Sequence, residues 1–161
     1  MSTPTAAFPN PNPTNILIIE GNLINTFTMK EMLNSFGFYN VTIAKSAKEA
    51  IQLFSENFHL IIMDYNLPDM NAIQLTTHFR QVFPKGNTPI ILWSTLADQI
   101  RNEGINAGID DFLSKPTSIE ELQQILECWT FYGISTNKSN LQSFNAKRTS
   151  KHSDLKRYHS G

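Results

Sequence analysis

Three apolar runs of this chain end in side chains that suit phosphoryl chemistry. Asp64 follows the apolar residues IIM, Glu20 follows NILII, and Lys115 follows DFLS. A carboxylate can act as a nucleophile, and an ammonium can stabilise the oxygens of a group that is being transferred. These residue types together suit the transient acceptance of a phosphoryl group on an aspartate, provided that the fold brings them to one place.

The elements that must position these side chains follow from the hydrophobic pattern. Five segments predict strands, namely residues 15–19, 41–44, 58–63, 89–93 and 111–114. Most are continuous apolar runs, which are typical of a parallel sheet covered on both faces. The segments between them have helical spacing, so the order is β-α repeated five times and predicts an α/β domain with right-handed crossovers. The carboxyl ends of such strands meet in one crevice, which would collect Glu20, Asp64, Ser94 and Lys115.

Helix boundaries are marked by capping residues. In the first helix Leu23 and Phe27 are four residues apart and predict the start of an inward face, which Met29, Met32, Leu33 and Phe36 continue. Gly37 marks the end of this helix. Ser46 and Ser118 are suited to begin the second and fifth helices.

The two ends of the chain have a different composition from its centre. Residues 1–13 form a Pro/Asn-rich leader, and residues 133–161 form a basic tail, both predicted to be disordered. From residue 134 onward there are six basic side chains and one acidic one, whereas the remainder has seven basic and thirteen acidic. The single cysteine, Cys128, allows no internal disulfide and is expected to be buried. With no membrane-length apolar run and no signal peptide, a cytoplasmic location is expected.

Four segments resemble the receiver domain of two-component response regulators, over residues 14–132. They are NILIIEGNLIN, LIIMDYNLPDMNAIQL, TPIILWST and AGIDDFLSKPTSIEEL. The resemblance implies a flavodoxin-like (βα)5 doubly wound sheet of five parallel strands in the order 2-1-3-4-5. It also implies that Asp64 is the phosphoacceptor and Lys115 the partner lysine. Ser94 takes the switch hydroxyl position, and Phe112 the switch aromatic position. A cis peptide before Pro116 is a further implication.

The resemblance also implies a magnesium site, and here the sequence departs from the family. The implied ligands are Glu20, Asp64 and the backbone carbonyl of Asn66. The family normally has two adjacent acids after the first strand, the second of which binds magnesium directly, but Gly21 stands at that position and has no side chain. Magnesium is often held by only one or two carboxylates and waters, so the resemblance implies a weakened magnesium site.

The sequence therefore supports two signalling hypotheses. In the first, Asp64 accepts a phosphoryl group from a histidine kinase or histidine phosphotransfer protein, and an output protein reads the change. Output contacts or a homodimer would use the fourth helix, fifth strand and fifth helix. In the alternative, favoured by Gly21, the chain is a degenerate receiver that acts as a phosphorylation-independent interaction module. No DNA-binding pattern follows the domain, and the basic tail is expected to be a solvated segment rather than a nucleic-acid site.

An enzyme and a nucleotide-binding protein fit less well. A phosphohydrolase with an aspartyl nucleophile usually has a second acid two residues later, where this chain has Asn66. The segment EGNLIN is not a phosphate-binding loop. Individual residues have simpler explanations too, since Phe112 could be only a core residue and Glu20 only a remnant acid. Trp93 and Trp129 are expected to be packing residues.

Overall fold

The computed structural model describes residues 13–54 and 57–131, with the backbone alone at Phe131. The chain divides into two compact units, Met1–Ile125 and Leu126–Gly161. Residues 1–12 and 132–161, which hold most of the predicted leader and all of the predicted tail, lie outside the described residues. The sheet and the candidate site belong to the first unit.

The first unit contains a five-stranded parallel sheet. Its strands are β1 (Ile16–Ile19), β2 (Val41–Ala44), β3 (Leu60–Asp64), β4 (Ile90–Ser94) and β5 (Asp111–Ser114). They lie in the order β2-β1-β3-β4-β5, which confirms the predicted flavodoxin-like topology. The central strand is β3, where Ile62 pairs with Ile18 of β1 and Ile91 of β4. Because all of β1 and the first four residues of β3 are buried, the apolar runs match a sheet that is covered on both faces.

Within residues 13–54 and 57–131, five α-helices connect or follow the strands. They are α1 (Leu23–Ser35), α2 (Ala47–Leu53), α3 (Ala72–Val82), α4 (Arg101–Ala107) and α5 (Ile119–Leu126). Of the second unit, the structure describes the end of α5 and a π-helical segment, Glu127–Phe131. The hydroxyl of Thr130 there donates to the carbonyl of Leu126. Cys128 is buried, as predicted.

Side chains cap the helices, and Ser46 and Ser118 do so at the start of α2 and α5, as predicted. Asn22 accepts hydrogen bonds from the first-turn amides of α1, and Ser46 accepts one from Glu49 in α2. Asn71 forms a capping box with Gln74 at the start of α3. Gly37 follows the last turn of α1 with φ 88°, a left-handed conformation that glycine adopts without strain, so the predicted end of this helix is confirmed.

The predicted inward face of α1 is wrong at its first turn. Leu23 and Phe27 are 70% and 66% exposed, and Ile24 is 76% exposed. Further along the helix, Met29 and Leu33 are buried, as predicted. Apolar side chains occur on both sides of this helix, so the sequence pattern alone does not select which side faces the sheet. The consequence is an apolar surface of Leu23, Ile24 and Phe27 at the start of α1.

Arg80 joins three elements at the amino-terminal edge of the sheet. Its Nε and Nη2 donate to the carbonyl of Gly108 at 3.2 and 2.9 Å, and its Nη1 donates to the carbonyl of Thr88 at 3.0 Å. Its Nη2 also lies 2.8 Å from Oδ2 of Asp110, an oxygen that accepts from the amide of Ile90. One guanidinium therefore ties α3 to the segments that enter β4 and β5.

Replacing Arg80 with methionine is expected to lower the free energy of unfolding by about 1–3 kcal/mol, because carbonyl acceptors lose their donors while the apolar stem is kept. Urea denaturation followed by circular dichroism measures this loss. Lys85→Met, at an exposed lysine of the following loop, is the control and should change stability little. Equal effects of the two substitutions would contradict the role given to Arg80.

Candidate functional site

The carboxyl edge of the sheet brings together Glu20, Asp64 and Lys115. The Nζ of Lys115 lies 2.5 Å from Oε2 of Glu20 and 3.0 Å from Oδ1 of Asp64. The side chains of Lys115, Glu20 and Asp64 are 15%, 4% and 15% exposed. One ammonium thus bridges two largely buried carboxylates that come from the ends of different strands.

Backbone hydrogen bonds hold two of these residues at the strand ends. The amide of Glu20 donates to the carbonyl of Ala44, which extends the ladder between β1 and β2 by one residue. Its Oε1 accepts from the amide of Asn22 at 3.0 Å, so both carboxylate oxygens of Glu20 are occupied. The amide of Lys115 donates to the carbonyl of Ser94, and the peptide between Lys115 and Pro116 is cis, as predicted.

The electrostatics of the site act on Asp64. Burial raises the pKa of this carboxyl above its ordinary value, and the negative charge of Glu20 raises it further. The hydrogen bond and the positive charge of Lys115 act in the opposite direction but do not cancel the rise. Burial thus disfavours the charged form of Asp64, and additional positive charge beside this carboxyl would favour it.

The oxygen donors near Asp64 are few. Glu20 and Asp64 supply carboxylates, and Gly21 between β1 and α1 supplies no side chain. Asn66 lies in the loop after β3, where it forms an isolated bridge with Asn71. Within residues 13–54 and 57–131, no group of three or more His, Cys, Asp or Glu side chains is arranged to hold a metal. The donor set fits a cation that keeps several waters.

The predicted switch residues lie outside the ion-pair cluster. Ser94 is buried, and its Oγ accepts from the amide of Leu96 at 3.0 Å. Phe112 is 5% exposed and belongs to the core cluster under α4. The guanidinium carbon of Arg101 lies 4.6 Å from its ring centroid, and a Cβ added to Gly104 would come within 2.9 Å of the ring. This packing accounts for Phe112 as a core residue.

Sequence reasoning missed two contributors to the site. Trp93, predicted to be only a packing residue, has the Nζ of Lys115 4.4 Å from its ring centroid. Its indole nitrogen donates to Oγ1 of Thr117 at 2.9 Å. The available signal was the position of Trp93 directly before Ser94 at a strand end, but an aromatic residue there is equally typical of the core.

Asp69 is the second missed residue, and it ties the loop after β3 to α2. Its two carboxylate oxygens accept from the amides of Ala47 and Lys48 at 2.9 and 2.8 Å. These backbone hydrogen bonds lower the pKa of Asp69 below its ordinary value, with the amide of Lys48 contributing most. The loop that follows Asp64 is thereby connected to the beginning of α2.

Asp69→Asn is expected to destabilise the protein at neutral pH. Because the pKa is lower in the folded state, the stabilisation by the carboxylate is present above the unfolded-state value near 3.8 and is lost as the pH falls through the folded-state pKa. The difference between wild type and variant should therefore be constant above about pH 5 and shrink below about pH 4. Urea denaturation across this range tests it, with Glu31→Gln on the exposed side of α1 as the control. A gap that does not change with pH would contradict the assignment.

Fold and site together define a doubly wound α/β domain with a charged site at the carboxyl edge of its sheet. A family model described as the response regulator receiver domain matches residues 16–127. The response regulator mcs4 of Schizosaccharomyces pombe is 31% identical over 150 residues, which cover 73% of this chain and 28% of that protein. The present chain thus corresponds to less than a third of that relative.

Two solved structures have the same fold. The receiver domain of sensor histidine kinase PA1611 from Pseudomonas aeruginosa PAO1, with a magnesium ion coordinated in its active-site cleft, has a TM-score of 0.65 and 30% identity. The match covers 73% of this chain and 98% of that one. A two-component response regulator from Clostridium difficile has a TM-score of 0.67 and 29% identity, covering 76% and 99%.

The chain belongs to the response regulator receiver domain family, whose members are signalling modules of two-component systems. In the part of the chain that the structure describes, none of the helices has the length and apolar character needed to cross a membrane.

Proposed function

We propose that this chain is a phosphorelay receiver that accepts a phosphoryl group on Asp64 from a histidine kinase or a histidine phosphotransfer protein. The observation that carries the proposal is the bridge from Lys115 to Glu20 and Asp64 at the carboxyl edge of the sheet. A largely buried carboxylate with an ammonium at hydrogen-bond distance suits nucleophilic attack followed by stabilisation of the transferred oxygens. A signalling module rather than an enzyme, in the cytoplasm, is the role that follows.

The proposed phosphoryl transfer forms one bond to phosphorus and breaks another. An oxygen of Asp64 attacks the phosphorus of a phosphohistidine, the P–O bond forms, and the P–N bond breaks with its electron pair returning to the imidazole. The product is an aspartyl phosphate. Lys115 is close enough to Asp64 to contact an oxygen of the bound group after a small movement of its side chain. Its positive charge would then offset the added negative charge.

Magnesium is the cofactor that this proposal includes. Glu20, Asp64 and the carbonyl of Asn66 would hold it, and waters would supply further oxygen ligands because Gly21 offers none. When bound, the ion supplies charge neutralisation for the phosphoryl oxygens. The ammonium of Lys115 forms ion pairs with both carboxylates, so it would supply part of that charge neutralisation.

Output would follow from a change at Ser94 and Phe112. A hydroxyl contact between Ser94 and the phosphoryl group would require its Oγ to leave the amide of Leu96. Phe112 lies directly under Gly104 of α4, so a shift of its ring would move that helix. The face of α4, β5 and α5 is therefore the proposed surface for an output protein or a homodimer.

The proposed donor protein would meet the apolar surface of Leu23, Ile24 and Phe27. This surface starts directly after the loop that carries Glu20 and lies beside the edge where a phosphohistidine must enter. Three large apolar side chains exposed together are typical of an interaction site.

Phe27→Asp is expected to slow phosphotransfer from a phosphorylated histidine phosphotransfer protein by about tenfold, because a charge replaces an apolar contact. Phosphorylation by acetyl phosphate should be unchanged, since this small donor needs no docking surface. Radiolabel transfer measures the first rate and intact mass the second. Lys30→Met, also exposed on α1, is the control. Equal loss with both donors would contradict docking at this surface.

The degenerate-receiver alternative keeps one specific observation in its favour. Gly21 removes a magnesium ligand, and a site already satisfied by Lys115 needs no phosphoryl group to be stable. Incubation with magnesium and acetyl phosphate, read by intact mass, separates the two functions. Addition of one phosphoryl mass to wild type but not to Asp64→Asn supports the receiver. No addition at millimolar magnesium, with the fold intact by circular dichroism, would leave the interaction module.

A further inference from the structure

Trp93 lies beside the site and contacts its lysine through the face of its indole ring. It is the last residue but one of β4, is 5% exposed, and pairs in register with Asp64 of β3 and Leu113 of β5. The Nζ of Lys115 lies 4.4 Å from its ring centroid, which is within the range of a cation–π interaction. The ammonium therefore has three neighbours, namely Glu20, Asp64 and the indole ring.

The orientation of this ring is held by the segment that follows Lys115. The indole nitrogen of Trp93 donates to Oγ1 of Thr117, and the hydroxyl of Thr117 donates to the carbonyl of Ser114 at 2.6 Å. Thr117 is thus fixed to the end of β5, and it fixes the ring in turn. The lysine and the group that orients the ring come from the same short segment, residues 114–117.

We propose that Trp93 is a positioning residue, which holds the Lys115 ammonium against Glu20 and Asp64 through the face of its indole ring. A lysine side chain is long and flexible, so a third contact restricts its ammonium more than two carboxylates do. The ring supplies that third contact, and the attraction between a cation and an aromatic face grows when water is excluded, as at a side chain that is only 15% exposed. The consequence for phosphoryl transfer rests on the proposed function, whereas the position of the ammonium does not.

Packing alone would not produce this arrangement. A core tryptophan needs a partner for its N–H, which Thr117 provides, but it does not need a cation on its face. Positioning of Lys115 requires the face of the ring, whereas packing requires only its apolar volume. Trp93→Phe keeps an aromatic face and loses the N–H, whereas Trp93→Leu keeps an apolar side chain and loses the face.

The first measurement is the NMR spectrum of the Lys115 side chain, assigned by its loss in Lys115→Met. A methylene group over an aromatic ring is shifted upfield, so the ε-methylene signals of Lys115 should show such a shift in wild type. The shift should remain in reduced form in Trp93→Phe and vanish in Trp93→Leu. Thr117→Val should reduce it, because the ring loses its anchor.

The second measurement is the rate of phosphorylation by acetyl phosphate at saturating magnesium, as a function of donor concentration. Trp93→Leu is expected to lower the maximal rate by about three- to thirtyfold with little change in the donor concentration at half-maximal rate. Trp93→Phe should recover most of the loss. In the Lys115→Met background, Trp93→Leu should cause no further loss, since it acts through the lysine.

Each outcome decides the proposal. The proposal is overturned if the Lys115 ε-methylene signals of Trp93→Leu have the same upfield shift as those of wild type. It is also overturned if Trp93→Phe and Trp93→Leu lower the phosphorylation rate equally. If Trp93→Leu does not fold, Thr117→Val decides on the same signals, and an unchanged shift overturns it. If no form of the protein accepts a phosphoryl group, the proposed function fails while the NMR signals still test the position of Lys115.

Discussion

Replacing Lys115 with methionine is expected to slow phosphorylation of Asp64 by about 100-fold or more. The ammonium lies 3.0 Å from Oδ1 of Asp64, where it can meet the charge that develops on a transferred group. Methionine keeps the apolar length of the side chain and removes only the charge and its donors. The initial rate of mass gain with acetyl phosphate and magnesium measures the effect.

The same substitution is expected to lower the free energy of unfolding by about 3 kcal/mol in metal-free buffer at neutral pH. It leaves Glu20 and Asp64 next to each other with no cation between them, and their side chains are only 4% and 15% exposed. Because burial and the charge of Glu20 already raise the pKa of Asp64, the loss should become smaller as the pH falls and Asp64 is protonated. Added magnesium should return part of the stability if the two carboxylates bind it.

Lys30→Met, at an exposed lysine of α1, is the matched control and should leave both quantities close to those of wild type. Urea denaturation with a chelator, and again with magnesium, gives the unfolding free energies. A Lys115→Met protein as stable as wild type in the chelator would contradict the bridging role of the ammonium. Normal phosphorylation would contradict its role in transfer.

Gly21→Asp is expected to raise the affinity for magnesium by about 10- to 100-fold, because it returns a second carboxylate beside Glu20. The position tolerates a side chain with a small adjustment. A Cβ at Gly21 would lie 3.2 Å from the carbonyl oxygen of Lys45, so the loop between β2 and α2 must give by a few tenths of an ångström. Calorimetric titration with magnesium measures the affinity directly.

Gly21→Asp both adds a carboxylate ligand and crowds the carbonyl of Lys45, and Gly21→Ala separates these two effects. It places the same Cβ against Lys45 but adds no ligand, so any loss of stability that both variants share comes from crowding. The gain in affinity should occur only with aspartate. If Gly21→Asp binds magnesium no better than Gly21→Ala, the missing acid is not what limits the site, and the weakened metal site inferred from the sequence is wrong.

Much of the fold follows from local patterns that need no long-range information. The apolar run before Asp64 predicts a buried strand, and Ser46 and Gly37 mark helix ends through hydrogen bonds and backbone conformations that involve only neighbouring residues. The strand order is confirmed as well. It could be predicted because right-handed crossovers and the family resemblance leave few alternative orders. That Glu20, Asp64 and Lys115 share one edge follows from the parallel sheet itself.

Other features depend on which surfaces meet, and the sequence does not contain that information locally. The outward position of Leu23 and Phe27 was not predictable, because α1 has apolar residues on both sides and only the packing against the sheet selects one. The carboxylate of Asp69 was not assigned a partner, because its acceptor role depends on amides 21 and 22 residues away.

The sequence by itself determined the element order, the helix ends and the set of charged strand ends. Only the tertiary structure decided that the ammonium of Lys115 contacts both Glu20 and Asp64 and lies over the ring of Trp93. Lys115 is 95 residues from Glu20 and 51 from Asp64, so these contacts exist only after the strands have paired. The physical reason is that local patterns set backbone conformation, whereas the distances between side chains at a site are set by the register and packing of the whole sheet.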